Sequence, residues 1–206
     1  MKEQAAVFKK TYEDYLAQIA GIDLTALPAR LGVRVNGNEV VIPFFGIPHR
    51  VSPAGIADPS GDKPNHAICV VLSKYLLMCP DSEPDGDEWA AFQDFKDAAP
   101  FADAYRKNVE QAIAISFGGR LDELKQACKI LNGGAPEGIN LPYDLAMWFV
   151  PLPRVPVFLL FNDGDNEFST QCKVLFEKRA QQFLDMECLA ILGMCLTDYL
   201  KTAANI

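Results

Sequence analysis

The stretch VRVNGNEVVIPFFGIPHRVS, Val33–Ser52, decides the fold class. Its apolar residues leave helical spacing and alternate. Val33 and Val35 share a side, Asn36-Gly37 stands at a turn, and Val40–Phe45 reads as the return strand. Asn-Gly between β-branched segments is a strong hairpin signal, because both central turn residues then take positive φ. Gly46 permits a second reversal into a strand around Ile47–Val51. The reading is a three-stranded antiparallel meander.

Upstream, residues 3–20 read as an amphipathic helix with Phe8, Tyr12, Tyr15, Leu16 and Ile19 on one face and Gly21 as its stop. Asp23 is a good N-cap for a short helix carrying Leu24, Leu27 and Leu31, with Gly32 at its end and Pro28 limiting its length. Downstream, Ser52–Pro64 is a loop by composition. Residues 65–78 have the helical stripe Ile68, Val71, Leu72, Tyr75 and Leu76. Cys79–Pro100 is acidic and turn-rich, and residues 79–99 are expected to form a mobile loop or lid.

Pro100 suits a helix start, and Phe101, Tyr105, Val109, Ile113 and Phe117 recur at helical spacing up to Gly118-Gly119. Another helix runs from about Leu121 to Leu131 and stops at Asn132-Gly133-Gly134. Tyr143–Val150 and Val155–Asn162 are apolar almost throughout, so both faces of these strands are expected to be covered. The link PLPRVP must be a turn or bulge, because proline cannot donate to a ladder. The C-terminal segments TQCKVLFEKRAQQF and DMECLAILGMCLTDYLKTA read as helices. The expected architecture is a single α+β domain over 1–206: a mostly antiparallel sheet, from the N-terminal meander and two C-terminal strands, covered by about six helices.

Composition narrows the function classes. The chain has 206 residues, is 50% hydrophobic and carries a net charge of -8. No Lys/Arg-rich run occurs, which argues against nucleic acid, since phosphates need clustered basic groups. The start MKEQAAVFKKTYEDYL has no apolar core of a secretion signal. The longest apolar stretches are near ten residues, short of the roughly 20 that span a bilayer. A soluble cytoplasmic protein without membrane contact is expected. None of the six cysteines forms a C-x-x-C pair, and Cys188 and Cys195 share a helical face, so reduced core thiols are expected.

The chemistry-bearing candidates are few. Asp163, Asp165 and Glu167 follow an apolar run and could offer oxygen ligands to Ca²⁺ or Mg²⁺. DGDNEF opens like an EF-hand loop but has Glu167 and Phe168 where that motif wants Asp or Asn and then Gly. The competing reading is a turn, with Ser169 or Thr170 capping a following helix. Asp185 and Glu187 could join that cluster, or Asp144, around one metal, although Asp185 as N-cap of the last helix accounts for both. His66 and Cys69 form an H-x-x-C pair, with His49 a conceivable third ligand. Arg50, Arg106 and Arg154 lie near aromatics and could clamp an anion. G-x-S-x-G, G-x-G-x-x-G and P-loop motifs are missing from the sequence.

The segments PLPRVPV, LLFNDGDNEF and FLDMECLA, with GNEVVIPFFGIPHRVSP and SFGGRLDELK, carry a resemblance over most of the chain. It resembles the bacterial and archaeal family called domain of unknown function 3786. The resemblance implies an anaerobic setting, and some members carry a small iron–sulfur domain in front, which implies a neighbourhood of corrinoid or redox one-carbon chemistry. The first cysteine here is Cys69, so no iron–sulfur role carries over, and the family supplies no catalytic residues or cofactor. Three functions remain open. The first is a binding or accessory protein, whose acidic surface suits a basic or metal-loaded protein partner. The second is a metal-dependent enzyme or metal binder using Asp163, Asp165, Glu167, Asp185 and Glu187. The third is a homodimer whose apolar surplus is interface.

Overall fold

The computed structural model describes residues 2–82, 84–136, 138 and 141–206, with backbone alone for 2–6. The α+β class and the antiparallel pairing are as expected. The strands, however, divide into two sheets. The first has the order β1 (Arg34–Asn36), β2 (Glu39–Phe44), β3 (Ile47–Ser52), β4 (Gly55–Ala57). The second has the order β5 (Trp89–Ala91), β8 (Gln171–Glu177), β7 (Val155–Asn162), β6 (Leu145–Leu152).

The first hairpin turns one residue later than Asn36-Gly37. Asn36 pairs with Glu39, which leaves Gly37, at φ 60°, and Asn38 as the central residues. Only the first has positive φ, the pattern for which glycine is required in a type II′ turn. The next turn, Phe45-Gly46, has positive φ at both positions, 48° and 79°. Phe45 is held there by burial, by an edge-on contact with Tyr199 at 5.0 Å, and by donating its N–H to the Pro151 carbonyl at 2.9 Å. That carbonyl is free to accept because β6 and β7 shift register between Phe149 and Leu152. The bulge foreseen in PLPRVP therefore ties one sheet to the other.

Helix α1 (Lys2–Ile19) lies against α3 (His66–Leu77), which in turn meets α7 (Met186–Ala203). Asp23 caps a 3-10 turn, accepting from the Thr25 amide, and α2 (Leu27–Leu31) stops at Gly32. Asn65 caps α3 and Asp185 caps α7 through side-chain oxygens. The helical stretch starting at Pro100 begins as α4 (Ala102–Tyr105), passes through a π-helical segment at Arg106–Gln111 and ends as α5 (Ala112–Phe117). Tyr105, Val109, Ile113 and Phe117 are all buried, and the Tyr105 ring stacks on Phe92 at 4.1 Å. Helix α6 (Leu121–Ile130) packs against α7, and one continuous apolar cluster runs from Ile19 to Leu200.

Two further expectations are corrected. The segment TQCKVLFEKRAQQF is not a helix: it is β8 followed by a 3-10 turn at Lys178–Gln182. Cys172, Val174 and Phe176 point inward at period two, and β8 fills the gap between β5 and β7. No helix follows Ser169 and Thr170, which belong to the β7–β8 connection. The second correction concerns coverage. Strand β6 is an edge strand, and Trp148 and Val150 on its outer face are 41% and 44% exposed, so both faces are not covered. The acidic segment 79–99 contains β5 and a 3-10 turn, Phe92–Asp94, with Phe92, Phe95 and Ala98 buried.

Candidate functional site

The carboxylates singled out in the sequence are positioned by different elements. Asp163 leaves β7 and staples the loop: its Oδ1 accepts the Gly119 N–H at 2.7 Å, the Gly164 N–H at 2.8 Å and the Thr170 hydroxyl at 3.4 Å. Asp144 Oδ2 accepts the Asp163 N–H at 2.8 Å. Asp165 Oδ1 accepts the Glu167 and Phe168 amides at 2.8 and 2.7 Å, which holds its carboxyl below the ordinary value. Glu167 is exposed. Asp185 belongs elsewhere. It caps α7 through the Cys188 amide at 2.9 Å and pairs with Lys74 at 3.1 Å, and Glu187 follows it in the first turn. Asp185 and Glu187 also line a cavity of about 410 Å³ with Met78, Asp97 and Phe101. Among the described residues, no group of three or more His, Cys, Asp or Glu is arranged to hold a metal.

The other candidates occupy separate places. His49 is buried with Nδ1 2.9 Å from the Ile47 carbonyl. His66 stacks on Phe8 at 4.2 Å, and burial, assisted by Lys63, lowers its pKa. Cys69 directs its thiol at the Pro64 carbonyl, and burial raises its pKa. Arg50 lines an open groove with Tyr12 and Lys63. Arg106 pairs with exposed Asp103. Arg154 bonds the Ala29 carbonyl at 3.0 Å, tying β6–β7 to α2. All six cysteines are free. Burial pushes Cys128 and Cys195 up to about 12 and raises Cys188 and Cys172 as well, so these remain neutral thiols at physiological pH.

The feature that stands out is the outer face of the second sheet. Register and pleat alternation place its residues in three rows. Trp148, Phe158, Leu175 and Ala91 lie opposite one another across all four strands. Ala146, Leu160 and Lys173 form the row on one side. On the other side Trp89 pairs with Glu177, Pro156 and Val150 follow by pleat alternation along their own strands, Val150 within the register shift of β6, and the Trp89 ring sits 5.2 Å from Phe158. Trp89 is 38% exposed. The chain contains two tryptophans, and both are on this face. The free edge of β6 is met by Gly134, whose N–H donates to the Trp148 carbonyl at 2.9 Å and whose carbonyl accepts from Trp148 at 2.8 Å. The indole packs so closely there that a Cβ on Gly134 would stand 2.6 Å from it.

The sequence reading missed this face, although its signal was present. Ala146, Trp148 and Val150, like Pro156, Phe158 and Leu160, recur at period two. The intervening residues are equally apolar, so the alternation carries no polar–apolar contrast.

A family model described as Domain of unknown function (DUF3786) matches residues 23–199. No curated protein and no solved structure gives a significant match to the chain.

Proposed function

We propose that this chain, which belongs to the DUF3786 family, is a binding or accessory protein that docks a partner through the outer face of its second sheet. The observation that supports this is the row Trp148–Phe158–Leu175–Ala91 with Trp89 and Val150 beside it, an apolar surface on which Trp148, Val150 and Trp89 are exposed, while Leu160 and Glu177 on the same face are buried. Contiguous apolar patches rimmed by polar groups mark interaction sites, and tryptophan is enriched among residues that dominate binding energy. On this reading residues 1–206 act as one domain, in the cytoplasm. The partner class that the family resemblance suggests is a protein of redox or corrinoid metabolism. Among the described residues, no helix is long and apolar enough to cross a membrane.

The test compares wild type with Trp148→Glu as bait in quantitative affinity capture from the native host. A partner retained by wild type and lost by the variant supports docking at this face. Identical partner lists for the two baits, with both folded by circular dichroism, would count against it.

A further inference from the structure

We infer that the occupant of this face is a cationic amphipathic segment of another protein. The inference rests on the docking reading and adds the chemistry of the partner. The apolar rows end in acidic groups on both sides. At one end β5 begins at Trp89, opposite Glu177, and the segment entering it carries exposed Asp85, Asp87 and Glu88. At the other end β7 finishes at Asn162, opposite Gln171, and the connecting loop carries Asp163, Asp165 and Glu167, with Asp144 bonded to its first residue. Lys173 pairs with Glu110, Lys178 with Glu88 and Arg179 with Glu177. Arg154 in the β6–β7 turn is drawn to the Ala29 carbonyl, so the excess negative charge at the rims comes from Asp85 and Asp87 at one end and from Asp163, Asp165 and Glu167 at the other. The field over the face is therefore negative at both ends of an apolar strip. It suits a segment with apolar anchors between lysines or arginines, because complementary potentials speed encounter and fix register.

A second copy of this chain is the weaker occupant. Each copy carries a net charge of -8, and a face-to-face pair would bring acidic rims together. Four strands at about 4.8 Å spacing and three rows at about 7 Å give a face of about 400 Å², so that a pair would bury about 800 Å², below what a stable interface needs.

The two tryptophans report on the face directly. The experiment titrates the whole chain with a tryptophan-free peptide of lysine and leucine in amphipathic spacing, and with a glutamate–leucine peptide of the same spacing, reading intrinsic fluorescence. The lysine peptide should give a saturable blue shift, with affinity falling about tenfold or more between about 0.05 M and about 0.5 M salt as charges are screened. The glutamate peptide should give none. The triple variant Asp85→Asn, Asp87→Asn, Glu88→Gln should weaken binding about tenfold, the loss of charge attraction worth about 1.4 kcal/mol. Val150→Gln should weaken it too, whereas Glu13→Gln with Asp14→Asn on α1 should leave it unchanged. Equal response to both peptides would overturn the charge assignment and leave the docking reading standing. Weakening by the α1 variant as large as by the triple variant would reduce the effect to general attraction and overturn the inference. Concentration-dependent dimerisation abolished by Val150→Gln would make a second copy the occupant. Silence toward both peptides, together with unchanged partner lists for Trp148→Glu, would sink the inference and the docking reading alike.

Discussion

Glu110 and Val174 meet at the point where β5 runs out. Strand β5 pairs with β8 only from Leu175 to Glu177. The next backbone groups on that edge belong to Val174. Glu110 Oε1 accepts the Val174 N–H at 3.4 Å, and the Tyr105 hydroxyl donates to the Val174 carbonyl at 3.5 Å. Glu110 Oε2 also takes the Lys173 ammonium at 3.1 Å. Two side chains, one of them from the π-helical segment, thus stand in for a missing strand and satisfy a buried edge.

Removing that stand-in strands a buried amide. Glu110→Ala is expected to cost about 1–3 kcal/mol, the penalty of an unsatisfied buried group. Glu110→Gln keeps an acceptor and should cost less. Urea unfolding measures both, with hydrogen exchange at the Val174 amide as the local readout. Equal losses for the two variants would show that the carboxylate does not serve this edge.

Asp185 sets an acid limb. Burial by itself would raise its carboxyl, but bonds from Cys188 and the Lys74 ammonium outweigh this and lower it. A depressed folded pKa contributes stability that is present above the unfolded value, near 3.9, and disappears as pH falls through the folded value. Asp185→Asn should therefore flatten the fall in melting temperature below about pH 4. Asp185→Ala should lose about 1 kcal/mol at neutral pH, as helix caps do. Melting curves from neutral pH downward decide it; parallel curves for wild type and Asp185→Asn would contradict the assignment.

Gly134→Ala should push the Trp148 indole off the backbone it rests on, because the new Cβ would stand 2.6 Å away. Overpacking of this kind costs about 1–3 kcal/mol. The expected signature is a red-shifted tryptophan emission with a lower melting temperature. Trp148→Phe in the same background should recover part of the stability.

The β7–β8 loop tests the metal alternative. Asp163→Ala removes an acceptor for two backbone amides and should cost about 1–2 kcal/mol. If hydrogen bonding is its role, Ca²⁺ or Mg²⁺ at millimolar concentration should leave the melting temperature of wild type unchanged. A cation-dependent rise that vanishes in Asp163→Ala would instead make the carboxylate a ligand.

Thiol reactivity follows burial. A maleimide reagent should modify half-buried Cys79 ahead of Cys128, Cys172 and Cys188, which are buried and raised well above the ordinary thiol value. Peptide mapping of partly labelled protein gives the order. Rapid labelling of Cys128 in the folded chain would be incompatible with this packing.

By itself the sequence determined the elements whose signal is local. The stripes of α1, α3 and α7, the caps at Asp23 and Asp185 and the glycine turns around Val33–Ser52 all rest on bonds within a few residues. Antiparallel pairing followed from those short turns. Tertiary structure alone decided where β8 belongs, since QCKVLFE satisfies helical and alternate spacing equally until β5 and β7 offer it a ladder on either side. It also decided that Asp163 and Asp185 serve different elements, and that Trp148, Phe158, Leu175 and Trp89 share one surface. Spacing along a chain shows which residues can share a face. Whether another layer covers that face depends on segments far away in sequence, and here Trp148, Val150 and Trp89 stay exposed on it while Leu160 and Glu177 are buried.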